Sequence, residues 1–141
     1  MTSRVLILTA KFNDTVTRSL ELGARQTLEE AQAKVKSLWV PGAFELPVAA
    51  QKAAKTGNWD AIVCLGCVIR GETPHFDLVS SQVASGIMKV SLDTGIPVIF
   101  GVLATDTVDQ AMNRSGLKLG NKGVDSAHAA LAMVNVLREL N

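Results

Sequence analysis

The stretch RGETPHFDLV, residues 70–79, holds one of only two histidines in the chain, His75. It follows an apolar run, and its glycine, Gly71, lets the backbone approach a ligand closely. Thr73 offers a hydroxyl, and a helix starting here would present free N–H groups and a positive dipole end to a phosphate. An imidazole in this position can take or give a proton. The alternative is that Thr73 and His75 only cap the helix.

Three further residues each allow two interpretations. Glu45, in GAFELP, is either a capping-box residue in the first turn of its helix or an acceptor for ligand hydroxyls. Phe12 lies in a polar turn and is either a stacking platform for a flat ring or a core residue. Arg114 lies in the last turn of a predicted helix, where it either offsets the helix dipole or clamps a phosphate. The residues alone leave these alternatives open.

Five other residues of reactive type are assigned structural roles. His128 lies mid-helix among alanines, and Asp77 and Asp125 lie near helix starts, where capping is the simplest explanation. Cys64 and Cys67 fall inside AIVCLGCVI, which is typical of a buried strand. Redox pairs sit at a helix start and structural zinc needs four ligands, so these are predicted to be core cysteines on opposite faces.

Length and composition predict one globular domain spanning residues 1–141. Apolar residues make up 48% and charged residues 19%, and the net charge is +1 with both signs mixed along the chain. This gives no electrostatic reason to expect nucleic acid or membrane as a partner. The early apolar run, residues 5–8, is too short for a signal-peptide core, and no stretch approaches a membrane span. The expected location is therefore the cytoplasm.

Strand and helix patterns alternate along the chain. Predicted strands span residues 4–8, 34–40, 61–69 and 98–104, and predicted helices span about 14–33, 44–55, 76–92, 107–115 and 123–140. Asn13 or Asp14 is the predicted cap of the first helix, and Asp106 is the predicted cap of the fourth. Crossovers of this length predict parallel strands. The expected fold is a three-layer α/β/α sandwich with a four-stranded parallel, flavodoxin-like sheet.

The unusual residues all fall at one rim of this sheet. Phe12 and Asn13 follow the first strand, residues 41–45 follow the second, and residues 71–75 follow the third. Ligands bind beyond the carboxyl ends of the strands in such sheets, so this rim is the predicted site. No metal cluster, dinucleotide or phosphate-loop motif, or serine nucleophile elbow is present. The residues predict a small-anion site that needs no cofactor.

With these pieces in order, the chain resembles the 6,7-dimethyl-8-ribityllumazine synthase family over nearly its whole length. The resemblance rests on FN after the first strand, WVPGAFELP, GCVIRGETPHFD, FGVLATDTVDQAMNRSG and GNKGVDSAHAAL. It implies condensation of 5-amino-6-ribitylamino-2,4-pyrimidinedione with 3,4-dihydroxy-2-butanone 4-phosphate, the penultimate step of riboflavin synthesis. Imine formation, phosphate elimination and ring closure would follow without metal or organic cofactor.

The resemblance also implies a role for each motif residue. His75 would transfer protons, and the phosphate would be bound by Arg114 and the backbone of Gly71, Glu72 and Thr73. The pyrimidine and its ribityl chain would contact Phe12, which stacks on the ring, Asn13, Ala43, Phe44, Glu45 and the backbone of Val68 and Ile69. A neighbouring subunit would supply Phe100, Lys122 and Asp125.

The resemblance further implies a homo-oligomer whose sites lie between subunits of a pentamer. LKLGNKG carries no insertion between the last two helices, which resembles members that form sixty-subunit icosahedral shells. The chain begins almost at the first strand, where many relatives carry a leader that pairs with the adjacent subunit.

Four rival interpretations fit the sequence less well. The related archaeal-type riboflavin synthase, which dismutates the lumazine, is disfavoured by the full GAFELP and RGETPHFD motifs. A flavodoxin-like electron carrier needs a Ser/Thr-rich phosphate loop where TAKFNDT stands, and a phospho-receiver domain needs acidic residues where Lys-Phe-Asn stands. A structural shell protein with little activity is disfavoured because every expected catalytic position is filled.

Overall fold

The computed structural model describes residues 1–71 and 75–141. The strands of this part are β1 (Arg4–Ala10), β2 (Lys34–Val40), β3 (Ala61–Ile69) and β4 (Val98–Thr105). The helices are α1 (Asp14–Glu30), α2 (Leu46–Ala54), α3 (His75–Thr94), α4 (Val108–Asn113) and α5 (Lys122–Glu139), and a 3₁₀ turn (Ala43–Glu45) leads into α2. None of the helices in the described ranges combines the length and apolar character that a membrane span requires.

The strands form one sheet with the order β2-β1-β3-β4, in which every neighbouring pair is parallel. β1 and β3 are central and almost entirely buried, because helices cover both faces of the sheet. The chain passes from β1 to β2 in one direction and from β3 to β4 in the other. The strand order therefore reverses between β1 and β3, where open parallel sheets form their ligand crevice. The predicted three-layer sandwich with a flavodoxin-like sheet is confirmed.

The core consists of two apolar layers, one on each face of the sheet. α1 and α5 cover one face, where Leu20 lies in the same buried cluster as Val63. α2 and α3 cover the other face, where Ile87 lies in the same cluster as Ile62. Neighbouring residues of β3 thus contribute to opposite layers, as the pleat of a strand requires.

The two cysteines follow this alternation, and the prediction that they are core residues is confirmed. Cys64 belongs to the layer under α2 and α3, Cys67 belongs to the layer under α1 and α5, and both are buried free thiols. Because burial penalises the thiolate, the pKa of Cys64 rises from 9.0 to about 12 and that of Cys67 to about 11. Thiols of this kind are poor nucleophiles and poor metal ligands near neutral pH.

The predicted end of α1 and the predicted cap of α4 were wrong, each for a local reason. α1 ends at Glu30 rather than near residue 33, because Gln32 adopts a left-handed conformation with φ of 62°. Thr107, not Asp106, caps α4: its hydroxyl accepts from the Gln110 N–H at 3.1 Å while the Gln110 side chain accepts from the Thr107 N–H. The Asp106 carboxylate instead binds Arg70.

Asn121, in the GNKG motif, fixes the start of α5. Its amide nitrogen donates to the carbonyl of Ser19 in α1 at 3.0 Å and to that of Ser115 at 3.3 Å. Its amide oxygen accepts from the N–H groups of Gly123 and Val124, which caps α5. A side chain at Gly123 would collide with the carbonyl group of Leu20. Glycine and asparagine together therefore let α5 approach α1 closely.

Candidate active site

A cleft of about 870 Å³ opens at the carboxyl ends of β1, β2 and β3, at the predicted rim. This volume is in the range of small-molecule sites. One wall is formed by the turns after β1 and β2, the floor by the end of β3, and the other wall by the first turns of α3. The cleft lining is formed by Phe12, Asn13, Pro41, Gly42, Ala43, Phe44, Glu45, Cys67, Val68, Ile69, Gly71, His75, Phe76, Leu78, Val79 and Gln82.

Asn13 connects the turn after β1 to the floor of the cleft. It occupies the N-cap position of α1 in a left-handed conformation, with φ of 62° and ψ of 46°, which asparagine tolerates better than most residues. Its side chain makes no cap hydrogen bond; its amide nitrogen donates to the Cys67 carbonyl at 2.8 Å. The predicted capping position is therefore correct, but the side chain positions the turn against β3 instead.

Phe12 and Phe44 place two exposed phenyl rings at the cleft. Phe12 is 71% exposed and Phe44 is 59% exposed, so neither is a core residue. The Phe12 N–H donates to the Pro41 carbonyl at 3.1 Å, which holds the turns after β1 and β2 together. Of the two interpretations of Phe12, the core residue is excluded. Exposed rings beside a cleft offer flat surfaces on which a planar ligand can stack.

Glu45 ends the 3₁₀ turn and occupies the N-cap position of α2. Its side chain makes no cap hydrogen bond, so the capping-box interpretation does not hold. The carboxylate lies close to Gly42: a Cβ atom added to that glycine would lie 3.2 Å from Oε1 of Glu45. A carboxylate at the cleft wall can accept hydrogen bonds from ligand hydroxyls.

Among the described residues, the end of β3 presents backbone groups to the cleft with which β1 does not pair. β1 pairs with β3 only as far as Thr9 and Leu65, whereas β4 pairs with β3 through Ile69. The Arg70 N–H donates to Thr105 of β4, and backbone groups alternate sides along a strand, so the groups of Ile69 face the β1 side. Ile69 thus fits the expected backbone contact with a ligand. Val68 turns its own N–H and C=O toward β4 and contributes its side chain.

The α3 wall includes four residues that the sequence had not indicated as site residues. His75 is the first residue of α3 and is exposed, and Phe76, Leu78, Val79 and Gln82 line the cleft with it. Residues at spacings of three, four and seven share one face of a helix. Extending that face from His75 would have identified Leu78, Val79 and Gln82. Gly71 lies at the rim, whereas Glu72 and Thr73 lie outside the described residues.

Four predicted site residues do not line the cleft of a single chain: Arg114, Phe100, Lys122 and Asp125. Arg114 is exposed just after α4, which packs on the sheet face opposite α3. Phe100 is 39% exposed on the edge strand β4, and the other two lie in the first turn of α5. The described lining residues include no lysine or arginine. An anionic ligand in the cleft would therefore contact no lysine or arginine side chain among the lining residues that the structure describes.

Over residues 1–71 and 75–141, no three His, Cys, Asp or Glu side chains lie together as a metal site would require.

Comparison with known proteins assigns the chain to a family. The family profile described as 6,7-dimethyl-8-ribityllumazine synthase matches residues 2–138. A protein of Protochlamydia amoebophila (strain UWE25) named 6,7-dimethyl-8-ribityllumazine synthase is 48% identical over 142 residues, which cover 99% of this chain and 83% of that protein. Both matches span the strands, the helices and the cleft described above. The chain therefore belongs to the 6,7-dimethyl-8-ribityllumazine synthase family.

Proposed function

We propose that this chain is a transferase that condenses 5-amino-6-ribitylamino-2,4-pyrimidinedione with 3,4-dihydroxy-2-butanone 4-phosphate in the cleft beyond β1, β2 and β3. The products are 6,7-dimethyl-8-ribityllumazine, phosphate and water. Family membership over nearly the whole chain supports the reaction. The observation that carries the site is the cleft itself, which joins exposed phenyl rings on one wall with His75 on the other.

The pyrimidine substrate fits the wall formed by the turns after β1 and β2. Its planar ring would stack on Phe12, which is exposed and held by its backbone bond to Pro41. The ribityl hydroxyls would donate to the Glu45 carboxylate, and ring-edge groups would pair with the backbone of Ile69. These contacts place the two amino groups over the floor of the cleft.

The butanone phosphate belongs at the α3 wall. Gly71 and the start of α3 would receive the phosphate, with Arg114 as a bidentate cationic partner. Imine formation releases water, elimination removes a carbon-bound proton as phosphate leaves, and ring closure releases a second water. Each step moves a proton, and His75 at the start of α3 is the proposed carrier. Holding both substrates close together in the correct orientation supplies much of the rate acceleration.

The working enzyme is proposed to be a homo-oligomer, a pentamer or a sixty-subunit shell, in the cytoplasm. In it, a neighbouring copy would bring Arg114 to each cleft together with Phe100, Lys122 and Asp125. Two observations support a second chain at the site. The described cleft lining has no lysine or arginine for the phosphate, and Phe100 exposes part of its phenyl ring on β4, an edge strand of the sheet.

A direct assay tests the function. Purified protein is mixed with both substrates, and lumazine formation and phosphate release are followed together. The expected result is equimolar lumazine and phosphate, with a large loss in Arg114→Ala. Incubation with lumazine alone should yield no riboflavin, which separates this activity from that of an archaeal-type riboflavin synthase. A well-folded oligomer that forms no lumazine would contradict the proposal.

A further inference from the structure

Arg70 joins three elements just outside the cleft. Its Nε donates to Asp106 Oδ1 at 2.8 Å, its Nη2 lies 3.5 Å from Asp77 Oδ1, and its guanidinium carbon stands 4.4 Å from the centroid of the Phe76 ring. Arg70 directly follows β3 and Asp106 directly follows β4, while Phe76 and Asp77 lie in the first turn of α3. We refer to these four residues as the Arg70 cluster.

The Arg70 cluster flanks the residues that the proposed reaction uses on the α3 wall. Arg70 immediately precedes Gly71, and Phe76 immediately follows His75. Phe76 is 9% exposed and lines the cleft, whereas the other three members of the cluster do not. Arg70 can therefore affect the cleft through Phe76 and through the positions of Gly71 and His75.

The contacts of Arg70 hold the ends of β3 and β4 and the start of α3 in fixed positions relative to one another. Its backbone N–H donates to the Thr105 carbonyl at 2.9 Å, so β3 and β4 hold its Cα atom in place. A planar guanidinium can hydrogen-bond carboxylates along its edge while its face stacks on a ring, which a lysine ammonium cannot do. Arg70 and Asp106 are 47% and 65% exposed, and ion pairs this exposed add little to global stability. Their loss should alter local geometry rather than unfold the protein.

We propose that Arg70 is a positioning residue of the condensation, which holds Gly71 and His75 in register with the ends of β3 and β4. The proposal rests on the proposed function of the cleft. Asp106 anchors the guanidinium, and the Phe76 ring transmits its position to the start of α3. Misplacement of reacting groups by about 1 Å can cost on the order of 100-fold in rate.

Steady-state kinetics of four variants test this role. Arg70→Met should lower kcat/KM for the butanone phosphate by about 10- to 100-fold, with a higher KM for that substrate and a lower kcat. The KM for the pyrimidine should change by less than about 2-fold, because Phe12 and Glu45 are not touched. Arg70→Lys should recover only part of the loss. Asp106→Asn should reproduce most of it, and Arg70→Met/Asp106→Asn should be no worse than the poorer single variant.

Arg4→Met is the matched control. Arg4 makes a similar exposed arginine–aspartate pair, with Asp60 at 3.1 Å. This pair joins the amino ends of β1 and β3, whereas the cleft lies at the carboxyl ends of the strands. The control variant should keep wild-type kinetics. Wild-type kinetics in Arg70→Met would overturn the proposal, as would an equal loss in Arg4→Met or additive losses in the double variant. Failure of the proposed function would appear differently, as an absence of lumazine from the wild type itself.

Discussion

At the scale of single residues, His75 is the proposed proton carrier of the reaction. It begins α3 and lies on the cleft opposite the turn that carries Phe12. Removing a general acid–base group costs about 10²–10⁴-fold in typical enzymes. Where positioning of two substrates dominates, the loss falls at the low end, so His75→Ala should retain much of the acceleration.

We expect His75→Ala to lower kcat by about 100-fold or less, measured by lumazine absorbance under saturating substrates. His128→Ala is the matched control, because His128 is exposed in the middle of α5 and lies outside the cleft. It should keep wild-type rates. A loss near 10⁴-fold in His75→Ala would show that proton transfer dominates, and an unchanged rate would remove His75 from the mechanism.

Arg114→Ala should be at least as harmful as His75→Ala. The described cleft lining holds no lysine or arginine, so the proposed phosphate contact has no substitute there. The KM for the butanone phosphate should rise, and Arg114→Lys should restore less than half of the lost kcat/KM because an ammonium cannot bind the phosphate bidentately. Arg18→Ala, at an exposed pair on α1, should leave both constants unchanged. A normal KM in Arg114→Ala would contradict the phosphate role.

The two buried thiols predict a pH dependence of stability. In the folded chain the pKa of Cys64 is about 12 and that of Cys67 about 11, against 9.0 when exposed. Above pH 9 the unfolded thiols ionise while the folded ones stay protonated, so unfolding releases protons. The contribution of the two protonated thiols to the free energy of unfolding is fully present below pH 9, and it is lost as pH rises through the folded pKa values. Because the unfolded thiols are half ionised at pH 9 and almost fully ionised at pH 10, each thiol should lower the free energy of unfolding by about 1 kcal/mol over this range.

Urea unfolding of the wild type and of Cys64→Ala/Cys67→Ala between pH 8 and 10.5 measures this effect. The variant will differ in absolute stability because it leaves small cavities, so the slope against pH is the quantity compared. The wild type should lose stability more steeply above pH 9. Parallel curves for the two proteins would contradict the prediction.

At the scale of elements, the junction between α1 and α5 decides where the first turn of α5 lies. Asn121 caps α5 and donates to the carbonyl of Ser19, so one side chain joins a helix start to a helix 102 residues away in sequence. Loss of a cap costs about 0.5–2 kcal/mol, and lost hydrogen bonds add to it. This junction also positions Lys122 and Asp125, the proposed contributions to a neighbouring site.

Asn121→Ala should lower the free energy of unfolding by about 2 kcal/mol in urea titrations. Asn135→Ala, on the exposed side of the same helix, should stay within about 0.5 kcal/mol of the wild type. Equal stability of the two variants would show that the cap and the two amide bonds contribute nothing. Because Lys122 follows directly, a higher KM in Asn121→Ala is also expected.

At the scale of the whole molecule, one chain does not bring together all the residues of the proposed site. His75 lies on it, while Arg114 lies after a helix that packs on the other face of the sheet. If a neighbouring copy supplies Arg114, the two residues of one working site belong to different chains. Mixed oligomers can then contain sites that have both residues intact.

We therefore expect activity to return when His75→Ala and Arg114→Ala are unfolded together and refolded as mixed oligomers. About a quarter of the sites should be intact if chains assort at random, from the one-half chance at each of two independent positions. Refolding each variant alone is the control and should stay at its own low rate. No gain on mixing, with oligomers of normal size by sedimentation, would place both residues in one chain's site.

The sequence by itself determined the class of fold, the rim that holds the cleft, and the family. These follow from local patterns: β-branched runs and helical spacing report which elements form, and turn motifs such as GAFELP keep their spacing along the chain. Parallel strands place their carboxyl ends at one edge, so Phe12, Glu45 and Gly71 could be assigned to the same cleft before any coordinates.

Only the tertiary structure decided which groups meet across that cleft. The Asn13 amide reaches the Cys67 carbonyl over 54 residues, and Arg70 reaches Asp106 over 36 residues. Such contacts depend on strand register and on the path of each turn, which short-range periodicity does not encode. For the same reason the sequence pattern predicted that Asp106 caps α4, and the resemblance implied that Arg114 binds the phosphate, without showing what either side chain contacts. In the structure the Asp106 carboxylate accepts a hydrogen bond from Arg70, and Arg114 lies outside the cleft of its own chain.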